Sequence, residues 1–246
     1  MAEGAAATLG CPQQAARRYR HAGPASPILA CMALHVFDMD GTLLKGTTAS
    51  LQIARHLGCA DELAALEARF AAGEVGTRGF AAAVHALWGT LTQPAVAAIV
   101  LASPWLNGIQ EVCADIRRRG ERSAVITMSP DFFARHLLES GFDDVAASRF
   151  PALPFREQPD PAAILTPQDK VRIADELRDR HGLPLSRCVA YGDSMSDAPL
   201  FRTLTKTVAV NADHHLTGLA ALSYRGDDLA GAYALGRALL ARPDRP

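Results

Sequence analysis

The stretch HVFDMDGTLL, residues 35–44, sets two carboxylates, Asp38 and Asp40, either side of Met39, after a run of buried-strand character and directly before Gly-Thr. If the strand continues through them, side chains two positions apart point the same way. The pair then crowds one spot, where mutual repulsion raises the pKa of one carboxyl. Two such groups can divide the work of nucleophile and acid. Asp38 with Asp193 also offers hard oxygen ligands to a small cation such as Mg²⁺, which prefers one or two carboxylates completed by phosphate and water. With Mg²⁺ holding Asp38 ionised, Asp40 is left free to carry a proton near neutral pH.

Two further strand-like runs end on the same chemistry. SAVI leads into Thr127, Met128 and Ser129, and RCVAYG leads into Asp193, Ser194 and Asp197. Taken singly, these residues fit a turn, a helix cap or an ordinary strand end. Three strand ends carrying carboxylates and hydroxyls in one chain describe a site, because ligands of open α/β sheets lie at the carboxyl ends of the strands. Lys170 is a separate anomaly. TPQDKV reads as a helix start with Thr166 at the N-cap, Pro167 at N1 and Asp169 at N3, so Lys170 falls in the first turn, where a cation opposes the helix dipole unless an anion is held nearby. In TMSPDF, Ser129 reads as an N-cap with Pro130 at N1, leaving backbone N–H groups and the Thr127 hydroxyl to suit a phosphate.

The elements that must position these groups follow from periodicity. Residues 47–103 are rich in Ala, Leu and Glu at helical spacing, as in ELAALEARF and GFAAAVHALW, with no strand candidate. From about residue 106, helices alternate with short buried strands: GIQEVCADIRRRG, SAVIT, DFFARHLLES, VAAS, QDKVRIADELRDRHG, RCVAYGD, APLFRTL, KTVAV, LAALSY at an edge, and DLAGAYALGRALLA. This alternation predicts an α/β fold, a doubly wound parallel sheet with a helical insertion after its first strand. The boundaries read as an extension at 1–32, a core of 33–46 plus 104–242, and an insertion at 47–103. FPALPFREQPDPAAILTP reads as an irregular, mobile connection, since Pro cannot donate within a sheet.

Composition narrows the partners. The 246 residues carry a net charge of -1, with 49% hydrophobic and 21% charged residues. That argues against disorder and against a nucleic-acid footprint. No run reaches the roughly 20 apolar residues of a membrane span. Cys11, Cys31, Cys59, Cys113 and Cys188 show no CxxC pair and suit reduced thiols in a cytoplasm. Residues 1–31 carry Arg17, Arg18 and Arg20 before PILAC, a weak likeness to a signal broken by Pro24 and Pro27; the expectation is a disordered extension, or a start at Met32 that excludes them from the physiological protein. His214-His215 reads as a solvated or capping pair, the arginines at 117–119 as a solvated helix end, and Trp88, Trp105, Phe132 and Phe133 as packing.

DMDGTLL, Thr127 at a strand end, Lys170 on a helix and YGDSMSD occur in the order of the four motifs of haloacid dehalogenase superfamily phosphohydrolases, which the chain resembles from about residue 33 to 240. The insertion between the first two motifs, with VITMSPDFF, is similar to the branch that includes phosphoserine phosphatases, whose cap is small and helical. The resemblance implies that Asp38 attacks phosphorus to form an aspartyl phosphate, and that Asp40 protonates the leaving alcohol and later activates water. It further implies that Thr127, Met128 and Lys170 hold phosphoryl oxygens, that Asp38, the Asp40 carbonyl and Asp193 bind Mg²⁺, and that Asp197 and Ser194 support them. The implied partner is a small phosphorylated metabolite in the cytoplasm, with no nucleic acid and no membrane; a homodimer is an allowed assembly. A phosphotransferase or phosphomutase would use the same Asp38, and a non-catalytic binding protein would keep the fold while losing these residues. The chain departs from phosphoserine phosphatases where they read serine: Thr47 and Thr48 stand where an acid is expected, and FAAAVHALW holds no arginine. Lys45, Arg55, Arg69 and Arg78 of the insertion would suit a larger, less zwitterionic leaving group.

Overall fold

The computed structural model describes residues 32–242. The expected extension at 1–31, with Cys11 and Cys31, lies outside them. Strand β1 (Leu34–Phe37) is followed by two short extended pieces, β2 (Asp40–Gly41) and β3 (Leu44–Lys45), which pair with each other. Four helices come next, α1 (Ala49–Leu57), α2 (Ala60–Ala71), α3 (Thr77–Leu87) and α4 (Gln93–Ala102), with no strand among them. The chain continues as α5 (Ile109–Arg118), β4 (Arg122–Pro130), α6 (Asp131–Ala134), β5 (Asp144–Ser148), α7 (Pro167–Arg180), β6 (Cys188–Gly192), α8 (Ala198–Thr203), β7 (Thr207–Val210), β8 (Leu222–Tyr224) and α9 (Leu229–Ala241).

The sheet is a parallel six-stranded one of order β5-β4-β1-β6-β7-β8. The chain builds outward from β1 first to one side and then to the other, so the crevice where strand order reverses opens at the carboxyl ends of β1, β4 and β6. β1 is buried throughout, as a strand covered on both faces must be. Its alternate residues serve two cores. Leu34 and Val36 join Ile173, Ala174 and Leu177 of α7 and Phe201 of α8. Phe37 joins Val112 and Ile116 of α5 and Leu239 of α9, in the same cluster as Ile53, Leu63, Val84 and Val96 of α1–α4. The insertion therefore shares one apolar core with one face of the sheet.

Local signals stop and start the helices that matter most here. Thr48 accepts the Leu51 N–H at the start of α1, and Gly58, with φ 73°, ends it. At α7 the Asp169 carboxylate takes both the N–H and the hydroxyl of Thr166, at 2.9 and 2.7 Å. The segment 150–166 is irregular, as its prolines require, but it is pinned at several points. Phe155 stacks on His85 with ring centroids 4.4 Å apart, His85 Nε2 lies 2.8 Å from the Glu157 carbonyl, and Arg78 donates to the Pro161 carbonyl. These contacts tie the irregular connection to α3.

On the α5/α9 face, β1 and β6 are tied by a buried polar network. Burial holds the His35 ring below its ordinary pKa, so the neutral ring donates from Nε2 to Glu121 and accepts at Nδ1 from the Tyr191 hydroxyl, both at 3.0 Å. Arg237 of α9 donates to both Glu121 oxygens at 2.5 and 2.6 Å. Gly236 leaves room for this arrangement, since a Cβ there would stand 1.9 Å from the Tyr191 hydroxyl oxygen. Gly236→Ala gains up to about 1 kcal/mol of helix propensity yet is expected to lower stability by about 1–3 kcal/mol through overpacking. Denaturant unfolding checks this, and adding Tyr191→Phe should recover part of the loss.

Candidate active site

β1 ends at Phe37, so Asp38 and Asp40 lie beyond the strand rather than on one of its faces. Strand alternation therefore does not set their arrangement, and the two carboxyls turn to different partners, although Asp40 still helps to raise the Asp38 pKa. Asp38, buried, has its backbone N–H on the Tyr191 carbonyl at 2.9 Å and its side chain on Lys170. Asp40 accepts the Ala49 N–H at the start of α1 at 2.7 Å on one oxygen. On the other it accepts the Ser129 hydroxyl at 2.5 Å and, more weakly, the Thr127 hydroxyl at 3.4 Å. Burial is the largest cause raising each pKa; for Asp38 the next is the charge of Asp197, and Asp40 is a minor one.

Lys170 is wholly buried, and its ammonium donates to Asp38 at 2.6 Å, to Asp197 at 2.7 Å and to the Ser196 hydroxyl at 3.2 Å. The anion that its helix position called for is thus supplied from within the chain. Burial alone would lower its pKa, but Asp197 and Asp38 together raise it above the ordinary value, so Lys170 is a cation. Asp197 is held by the N–H groups of Asp193 and Ser194 at 3.0 and 3.3 Å. Thr42 donates to Asp193 at 3.3 Å.

One ammonium cannot neutralise Asp38, Asp193 and Asp197 together. Burial, then the charge of Asp197, pushes the Asp193 carboxyl up to about 7. Carboxylate oxygens of Asp38, Asp193 and Asp197 fall within 4.8 Å of one another. An all-oxygen donor set with surplus buried negative charge fits a hard divalent cation. Asp197 is engaged by Lys170 and two backbone N–H groups, whereas Asp38 meets Lys170 and Asp193 meets Thr42 through one carboxylate oxygen each, so Asp38 and Asp193 are the pair that could hold such a cation. Gly41, at φ +76°, makes the close approach possible, as a Cβ there would lie 2.0 Å from Asp193 Oδ2.

The expected Ser129 cap is corrected: β4 runs on through Pro130, and Pro130 itself occupies the N-cap position of α6, with no side-chain cap bond. Ser129, two residues beyond Thr127, turns instead to Asp40. Strand alternation carried one step further would have marked Ser129, Thr127 and the site as one face. Thr42 and Ser196 lie within DMDGTLL and YGDSMSD, but nothing local to those stretches says which residue each hydroxyl would meet. Asp213, His214 and His215 are exposed, and Asp213 caps the turn that the histidines begin.

The site opens into a cavity of about 710 Å³, lined at one end by Asp38, Asp40, Thr127, Met128, Ser129, Asp193 and Ser194. The other end is walled by α1–α3 and by Phe150 and Ile164. Of the four cations expected there, only Lys45 lines the cavity, and it is paired with Asp227. Arg69 pairs with Glu74, and Arg78 reaches the Pro161 carbonyl. Thr47 accepts from the Gln52 side chain. Glu67 of α2 lines the cavity and was missed, because in sequence it is one more charge on an amphipathic helix.

The raised pKa of Asp193 has a sign that can be tested. A carboxyl that binds its proton more tightly in the folded state adds stability below its folded pKa and loses it as pH rises through about 7. In chelating buffer the melting temperature is expected to fall as pH rises from 5 to 8, by less in Asp193→Asn than in the parent. A fall of equal size in both would remove Asp193 from this account.

A family model for haloacid dehalogenase-like hydrolases matches residues 35–202. A phosphoserine phosphatase of Archaeoglobus fulgidus is 25% identical over 203 residues, covering 80% of this chain, which spans only 58% of that protein's length. A solved phospho-aspartyl intermediate analogue of phosphoserine phosphatase superposes with a TM-score of 0.69 at 21% identity, over 82% of this chain and 98% of the other. A HAD family hydrolase of Salmonella enterica serovar Typhi superposes with a TM-score of 0.72 at 18% identity, over 81% and 70%. With carboxylates, hydroxyls and a buried lysine gathered at the carboxyl ends of β1, β4 and β6, and the family model spanning all of them, the chain belongs to the haloacid dehalogenase-like hydrolases.

Proposed function

We propose that the protein is a Mg²⁺-dependent phosphatase that hydrolyses a small-metabolite phosphate monoester through an aspartyl phosphate. The observation that carries this is the division between the two carboxyls. Asp38 sits with Lys170 and Asp193 in the surplus-charge centre, while Asp40 is held apart by Ser129 and the Ala49 N–H. A carboxylate oxygen of Asp38 attacks phosphorus as the bond to the leaving oxygen breaks, and Asp40 gives that oxygen its proton. Asp40 then takes a proton from water, which attacks the phosphorus of the acyl phosphate and frees Asp38.

Phosphoryl transfer asks mainly for positioning and charge neutralisation. Lys170, Thr127 and the backbone N–H of Met128 would hold the phosphoryl oxygens. Asp197 would fix Lys170, with Ser194 in turn holding Asp197 through its backbone. Mg²⁺ held by Asp38, Asp193 and the Asp40 carbonyl would supply the positive charge that lets a nucleophilic carboxylate approach a phosphate dianion. Helices α1–α4 act in this reading as a cap over the site, closing it from water. Relatives named phosphoserine phosphatases support the reaction class. Thr47 and Thr48, engaged with Gln52 and the start of α1, argue against L-phosphoserine as the best substrate.

Asp38→Asn is expected to reduce phosphate release from an aryl phosphate to background while the protein stays folded, because an amide does not form the acyl phosphate. Asp40→Asn should cost roughly 10²–10⁴-fold with an alkyl ester and much less with an activated aryl ester, which leaves without a proton. Equal losses on both esters would refute the acid role.

Activity should vanish in chelator and return with Mg²⁺, with Ca²⁺ a poor substitute because it favours more ligands and looser geometry. Full turnover in metal-free buffer would overturn the metal assignment.

A further inference from the structure

The far end of the cavity is chemically unlike the phosphate end. Glu67 projects from α2 among apolar neighbours, half-buried, and among the described residues it has no hydrogen bond or ion pair. Burial raises its pKa with no opposing partner. Phe70, one turn along α2, and Phe80 of α3 line the same cavity with ring centroids 5.3 Å apart and planes tilted by 58°. Lys45, the one cation lining the cavity among the described residues, is drawn to Asp227. A carboxylate without a partner among the described residues, lining one cavity with two aromatic rings, is a setting that favours a positive charge, through ion pairing and through the ring quadrupoles.

We infer that Glu67, with Phe70 and Phe80, is a specificity site for a cationic group on the leaving alcohol, so that the preferred substrates are phosphate monoesters of amino alcohols lacking a carboxylate. The inference deepens the phosphatase reading and rests on it for the anchoring of the phosphate by Lys170, Thr127 and the Met128 N–H. A carboxylate on the leaving group would meet Glu67 with like charge and no compensating guanidinium, so the same residue that attracts an ammonium repels an acid. The cavity volume lies well within the range that holds drug-sized ligands, leaving room for an alcohol larger than serine.

Three matched probes separate charge from size: 3-aminopropyl phosphate, propyl phosphate and 3-(phosphonooxy)propanoate. Calorimetric titration of the full-length Asp38→Asn protein in Mg²⁺ buffer is expected to rank them in that order. The ammonium ester should bind at least about tenfold tighter than the neutral one, the scale of one charge-assisted hydrogen bond. Adding Glu67→Gln should bring the first two together without moving the unfolding midpoint, and Glu67→Lys should favour the propanoate. Equal affinities, tightest binding of the propanoate, no binding of any probe, or a ranking that survives Glu67→Gln would each overturn the assignment. Phosphate release by the wild-type protein is measured in parallel. Hydrolysis of all three with no charge ranking removes Glu67 and leaves the phosphatase reading. A charge ranking that Glu67→Gln abolishes, with no release from any ester, removes the phosphatase reading and leaves Glu67 as a binding residue.

Discussion

The structure turns on a surplus of negative charge buried at the carboxyl ends of β1 and β6. Buried Asp38 and Asp197 share one ammonium, that of Lys170, with half-buried Asp193 beside them, in a setting where an unpaired charge is costly. Much of the surrounding architecture keeps that arrangement in place. The capped first turn of α7 delivers Lys170, the backbone N–H groups of Asp193 and Ser194 hold Asp197, and Gly41 gives Asp193 room. The same surplus is what a divalent cation would offset, and that cation with Lys170 would in turn neutralise the charge of a phosphoryl group.

The sheet makes this centre rigid by being covered on both faces. β1 sends Leu34 and Val36 to one core and Phe37 to the other, and the His35–Tyr191–Glu121–Arg237 network ties β1 to β6 and α9. Tyr191 belongs to both systems, since its hydroxyl meets His35 while its carbonyl accepts the Asp38 N–H. The nucleophile proposed here is therefore seated on a strand pair locked by a polar network on the other side of the chain's path.

The helical insertion meets the site loop through the Ala49 N–H on Asp40 and the Thr47 carbonyl, which accepts the Gly41 N–H, and it also contributes walls. Its segment 150–166 partner, through Phe150, Phe155 and the His85 contacts, fastens the insertion to the core from the opposite side. The resulting cavity carries its carboxylates at the strand ends, and the helices add apolar side chains, a few hydroxyls such as Ser50 and Thr77, and the carboxylate of Glu67. In the proposed reading the core would hold a substrate's phosphate, and α2 and α3 would sort its other end.

The amino-acid sequence by itself determined the elements that rest on local physics. Alternating strands and helices, the Thr166–Asp169 cap, the helical character of residues 47–103 and the order of the strand-end residues were all legible, because periodicity and capping act within a few positions along the chain. Tertiary structure decided what depends on where elements stop and what they face. β1 ends one residue before Asp38, so the two carboxyls part company. β4 runs through Ser129, which makes a predicted cap into a partner of Asp40. The insertion's arginines turn to Glu74 and the Pro161 carbonyl, while Glu67 turns inward. Helical periodicity names the buried stripe of a helix but not which flanking charge borders a cavity, because that choice depends on the angle at which the helix packs on residues far away in the chain.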